Sequence, residues 1–242
     1  MERFDEASPR TRARITGAVY LLYFVLAIVG EIFLQQAGIS SLTPAAGDAA
    51  ALAKSLNAHE AELQTGVALG LLSVGCYVAV TVFFYQLFKP VGRTIALLAL
   101  AFGLVAMAIT AFASLFEVAP MVVLQARSSA LVADQQQALA LVFLKVGDQV
   151  GPISLFFSGL FQIFIGYLMF KSGFLPRIFG ALVALAGIGW LLFLIPPVAS
   201  YLLTYLEILG FLAEAPLSLW LLIKGVDSRR WDERAAAARS TG

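Results

Sequence analysis

The run 201-YLLTYLEILGFLAEAPLSLWLLI-223 decides what kind of protein this is. It is long enough to cross a ~30 Å hydrocarbon core as one helix, which takes about 20 apolar residues, yet it carries Glu214 in its middle. Lys224 closes the run ten residues later, or about 15 Å at ~1.5 Å per helical residue. The carboxylate is therefore expected near the bilayer midplane. A charge there costs at least ~2.5 kcal/mol on insertion scales, so an acid at that depth marks a candidate functional site.

The rest of the chain has the same character. Apolar residues make up 60% of its 242 residues and charged residues 13%, with a mean hydropathy of +0.89, against roughly 45–50% apolar and 25% charged in soluble domains. Six runs are close to spanning length: Ile15–Leu34, Thr65–Phe88, Thr94–Val118, Pro152–Phe170, Ile178–Val198 and Tyr201–Ile223. The predicted fold is all-α, a polytopic bundle of six transmembrane helices. It forms a single domain over residues 1–226, followed by a charged tail, 227–242, expected to fray. Arginines precede the first run as in a signal peptide, but its apolar stretch is too long and no A-x-A cleavage site follows.

Charge sets the expected orientation. Of the 16 Lys and Arg residues, only Lys54, Arg127 and Lys145 fall in the second set of connections; the other basic residues flank the first helix, the two short hairpins and the end of the sixth helix. The positive-inside rule then puts both termini in the cytoplasm, and Trp220 and Trp231 fit an aromatic belt on that side. The outer connections are longer. Asp48 before Ala49, Leu52 and Leu56 predicts a short capped helix on the outer surface. The stretch before the fourth span favours helix through Ala138–Val146 and is expected to break at Gly147, Gly151 and Pro152. RTIALLALAFG (93–103) and RIFGALVALAG (177–187) form a faint internal echo.

Depth sorts the remaining acids. Glu31 lies 17 residues beyond Arg14 and Glu207 lies 17 before Lys224, each about 25 Å from the inner side. Glu117 and Asp148 lie farther out, at roughly 35 Å, among headgroups. Glu207, Gly210, Glu214, Leu217 and Ser218 recur at three- and four-residue spacing, which puts both acids on one face of the sixth helix. No basic residue is deep enough to pair with Glu214, and Pro216 frees a carbonyl one turn back. The acid can serve a ligand, or it can hydrogen-bond to a neighbouring helix through Ser, Tyr or Gln, a contact worth about 0.6 kcal/mol.

Several chemistries lack their residues. The single histidine, His59, falls in an outer connection and the single cysteine, Cys76, inside an apolar run. A bis-His haem, a histidine metal site, an intrachain disulfide and a CxxC motif are thereby excluded. There is no P-loop and no G-x-S-x-G. Net charge is +1, without a basic stripe interleaved with aromatics, so nucleic acid is not an expected partner. No cofactor is expected, and an intramembrane enzyme has the least support because no nucleophile with a positioned base can be named.

The segments ARITGAVYLLYFVLAIVGE (13–31), PAAGDAAA (44–51), LFKPV (87–91), GYLMFKSGFLPRIFGALVALAG (166–187) and EAPLSLWLLIKGV (214–226) resemble bacterial membrane proteins of the domain-of-unknown-function 4386 family. FKSGFLPR and SLWLLIKGV are the most specific pieces. The resemblance implies a multi-pass protein of the bacterial plasma membrane, with Glu31, Lys89, Pro90, Lys171, Gly173, Pro176 and Glu214 at motif positions. It implies no established activity. Members often carry a histidine-containing stretch before the fourth helix, where this chain has VGDQVG (146–151).

Two functional expectations follow. The first is binding or transport of a small molecule or lipid in an outward-facing acidic cavity, lined by Glu31, Glu207 and Glu214 with Tyr23, Tyr205 and Phe211. The alternative is a structural or partner-binding membrane subunit whose acids lock helix packing. The expected partners are membrane lipids and a small-molecule ligand, and no feature sets an oligomeric state. Lys171 and Arg177, beside a helix start, suit anionic lipid headgroups as well as topology.

Overall fold

A computed structural model of the chain describes residues 8–40, 47–126 and 131–240. Arg3 and Arg127 of the charge pattern, and the start of PAAGDAAA, lie outside them. The described residues form α1 (Pro9–Gln36), α2 (Ala49–Ala58), α3 (Glu60–Phe88), α4 (Arg93–Gln125), α5 (Ala133–Ser172), α6 (Arg177–Leu191), a 3-10 turn (Leu192–Leu194), α7 (Pro196–Ile223) and α8 (Ser228–Ser240). Six helical segments are long and apolar enough to cross a membrane, as the sequence predicts. The first four extend past the apolar runs because their ends are polar and helix-compatible: α1 begins at Pro9, a residue suited to a first turn.

Three boundaries differ from the sequence reading. The expected break before the fourth span is absent, and α5 runs 40 residues straight through Gly147, Gly151 and Pro152. Gly147 is there for packing, since a Cβ would come 2.8 Å from the Phe116 Cβ. The fifth span stops short of Val198, because Pro196 starts α7 and pushes Ile195 to an extended ψ of 88°. The tail expected to fray is helical over Ser228–Ser240.

Close contacts divide the chain into two compact units. The first comprises Met1–Leu22, Cys76–Met107 and Leu155–Gly242. In it, α5 and α6 approach through two reciprocal glycine pairs: a Cβ on Gly159 or on Gly187 would come 2.7 Å from the other's carbonyl oxygen, and Gly166 and Gly180 are related in the same way. Small residues let membrane helices touch backbone to backbone, where dispersion replaces the missing hydrophobic force. Gly17 on α1 likewise meets the backbone of Leu221 and Leu222 on α7. An aromatic core of Tyr20, Tyr77, Phe84, Phe88 and Phe161 fills this unit.

The basic residues at the helix ends of this unit do more than set topology. Arg10 and Arg14 donate to the carbonyls of Lys224 and Ile223 at 3.3 and 3.1 Å. From α8, Arg230 and Arg234 donate to the carbonyls of Gly173 and Lys171 at 2.8 and 3.1 Å, and the buried Trp231 indole donates to the Leu87 carbonyl at 2.8 Å. Helix C-termini leave carbonyls unpaired and negative, and cationic or N–H side chains answer both needs.

The second unit comprises Tyr23–Gly75 and Ala108–Ser154. Asp48 caps α2 as predicted, accepting from the backbone N–H of Ala50 and Ala51 at 3.0 Å. The apolar face of α2, Leu52 and Leu56, is buried with Leu34, Leu63, Met121 and Leu141, so this short helix is part of a core. Gly30 and Gly66 bring α1 and α3 together, and Thr110 and Ser154 share a 2.6 Å hydrogen bond between α4 and α5.

Candidate functional site: a buried acid shared by three helices

Glu214 is 8% exposed, inside the first unit. Its Oε2 accepts from the Tyr20 hydroxyl of α1 at 2.5 Å, and its Oε1 accepts from the Gln162 side-chain N–H of α5. One carboxylate therefore ties together three helices. Tyr20 is itself 2% exposed, held edge-on by Tyr77 at 5.7 Å and Phe84 at 5.8 Å. Gln162 is 3% exposed and is brought into place by a glycine, because a Cβ on Gly187 would come 2.9 Å from the Gln162 Cβ. Both partners are neutral, which fits the absence of any basic residue at this depth.

Hydrogen bonds between membrane helices are worth about 0.6 kcal/mol on average and up to ~1.7. Two of them supply roughly 1–3 kcal/mol, the same size as the ~2.5–3.5 kcal/mol insertion cost of a charged residue at the bilayer centre. The network offsets the cost of the acid rather than adding net stability. One group stays unsatisfied: the buried Gln162 Oε1 has no hydrogen-bond partner.

The other predicted residues sit as follows. Glu31 belongs to the second unit, half-buried, and accepts from Ser40 Oγ at 2.7 Å and Gln35 Nε2 at 3.0 Å. Tyr23, also there, packs on Phe24 with ring centroids 5.0 Å apart. Glu207 is half-buried on α7, while Tyr205 (70%) and Phe211 (53%) lie on its outer surface. Lys171 and Arg177 are exposed, each over an aromatic ring, Tyr167 at 5.9 Å and Phe170 at 5.6 Å.

Sequence reasoning named the residue types that could satisfy Glu214 but not the residues. A depth count could have singled out Gln162, which lies nine residues before Lys171, about 14 Å in. Tyr20, six residues past Arg14, lies about 9 Å in, a little under one turn short of Tyr23 and about one turn from the acid.

Six helices long and apolar enough to cross a membrane, three of them joined by a buried carboxylate, define a multispanning membrane protein. The chain belongs to the family described as domain of unknown function (DUF4386), whose model matches residues 15–225 and so includes Tyr20, Gln162 and Glu214. No curated protein and no solved structure matches the chain.

Proposed function

We propose that the protein is a structural or partner-binding membrane subunit in which Glu214 fastens α1, α5 and α7 from within. The supporting observation is enclosure: both carboxylate oxygens are taken by side chains that are themselves buried. An acid lining an open vestibule would keep at least one oxygen for water or ligand. The test is a pair of variants in detergent melts. Glu214→Leu strands two buried donors and should cost about 1–3 kcal/mol. Adding Tyr20→Phe and Gln162→Leu removes those donors and should restore most of the loss, since replacing all partners by apolar groups is nearly neutral. A Glu214→Leu protein as stable as the wild type would end this reading.

A second reading keeps an outward-facing acidic cavity for binding or transport of a small molecule or lipid, with Glu214 as the ligand-binding acid and Glu207 on the same helix. The observation favouring it is the unpaired Gln162 carbonyl, an acceptor that a ligand's ammonium or hydroxyl would satisfy. An amine or lipid that raises the melting temperature of the wild type, but not of Glu214→Gln, would move the assignment here. Neither reading requires a catalytic residue. In both, the protein resides in a bacterial plasma membrane with its termini in the cytoplasm, as the basic residues of the helix ends favour.

A further inference from the structure

The first unit also contains a cleft of about 500 Å³, open at its surface, to which neither reading of Glu214 assigns a role. Three cations line it, Arg10 from α1, Lys224 at the end of α7 and Arg229 from α8, together with an apolar wall of Phe174, Pro176 and Trp220. We propose that it binds the headgroup and upper glycerol region of one anionic phospholipid.

Position comes first. The cleft lies where the Thr204–Ile223 span ends and the Arg177–Leu194 span begins, which is headgroup depth for a helix that fills the hydrocarbon core. Charge comes second. Asp227 also lines the cleft, but its Oδ1 accepts from the Arg230 backbone N–H at 3.2 Å and its Oδ2 lies 3.6 Å from Arg230 Nε. Glu233 is paired with Arg229 at 3.1 Å. Locally, four cations (Arg10, Lys224, Arg229 and Arg230) face these two acids, so the cleft keeps a positive excess.

Shape supplies the rest. Gly225, at φ 70°, lets Arg10 lie across the end of α7, where its Nε holds the Lys224 carbonyl and its remaining N–H groups are available. Trp220 leans on Phe179 of α6 with ring centroids 5.6 Å apart, extending the apolar wall into the span. A free phosphate would gain nothing from that wall, whereas a phospholipid places its phosphate among the cations and its glycerol and first methylenes on Trp220 and Phe174. Basic pockets between membrane helices are a known form of headgroup site, each cation near the surface adding to the attraction.

The test measures phosphatidylglycerol retained by the full-length protein after extraction from nanodiscs of phosphatidylglycerol and phosphatidylcholine, counted by native mass spectrometry. Retention should saturate near one phosphatidylglycerol per chain as its fraction rises. Lys224→Gln with Arg229→Gln should weaken it roughly tenfold, as expected for two lost cationic contacts. Lys89→Gln with Arg93→Gln, which removes equal charge from an exposed hairpin outside the cleft, should change it less than about twofold. Equal losses in both pairs, or retention that never saturates, would reduce the effect to general surface charge and overturn the proposal. Displacement by millimolar inorganic phosphate alone would also overturn it, making the cleft a free-anion site. The saturation measurement needs no variant, so a misfolded mutant does not decide the outcome.

Discussion

A carboxylate at mid-membrane depth is tolerated only where its oxygens find donors, and for Glu214 the two donors make unequal demands. Tyr20 contributes a large ring packed against Tyr77 and Phe84 as well as its hydroxyl. Tyr20→Phe therefore keeps the packing and removes only the bond. It should lower stability by about 1–3 kcal/mol, the cost of leaving a buried acceptor short, which would appear as a melting temperature several degrees lower. Tyr205→Phe, which removes a hydroxyl from a 70% exposed side chain on α7, should melt with the wild type. Equal effects of the two substitutions would show that Tyr20 acts through its ring alone. The pair is informative because both substitutions remove one hydroxyl and only burial in the fold distinguishes them.

At the scale of elements, glycine separates contact from mere composition. Gly166 faces α6 so closely that a Cβ would come 2.6 Å from the Ala184 nitrogen, whereas a Cβ on Gly75 of α3 meets nothing within 4 Å. Gly166→Ala must push two helices apart and should cost about 1–3 kcal/mol. Gly75→Ala should be neutral or stabilise by up to ~1 kcal/mol, because alanine loses less entropy in a helix. Thermal melts of the two single variants would check the contrast, and the same sign for both would contradict the α5–α6 packing described. Helix α8 makes a comparable case. Trp231→Ala deletes a buried ring, its cation–π contact with Arg12 at 4.9 Å and the donor to Leu87. The expected loss is about 3–5 kcal/mol. Arg239→Gln, near the end of the same helix, should have little effect.

For the whole molecule, the expectation concerns orientation. A cysteine at Asn57, exposed on α2, should react with a membrane-impermeant maleimide in intact cells, while reporters fused at Arg3 and Gly242 should give cytoplasmic signals. Labelling of Asn57→Cys only after lysis would invert the topology and with it the side from which Glu31 and Glu207 are approached. The lone native cysteine, Cys76, is only partly buried within α3, so the comparison requires a Cys76→Ser background.

One-dimensional counting was enough for the six spans and the Asp48 cap, because spans follow from the rise per residue against bilayer thickness and the cap from local chemistry. It went astray where a glycine or proline has two uses: Gly147 and Pro152 read as a break, yet α5 continues because Phe116 needs the space that Gly147 leaves. The tail composition of 227–242 also gave no hint that Trp231 and two arginines would find helix-end carbonyls to hold. The partners of Glu214 lay beyond any count, standing 194 and 52 residues away in the chain. Which residue meets the acid depends on which helices are neighbours and how each is rotated, and helices apolar on every side carry no periodic signal of their inward face. Tertiary packing alone, through glycine contacts at α1–α7 and α5–α6, turned Tyr20 and Gln162 toward Glu214.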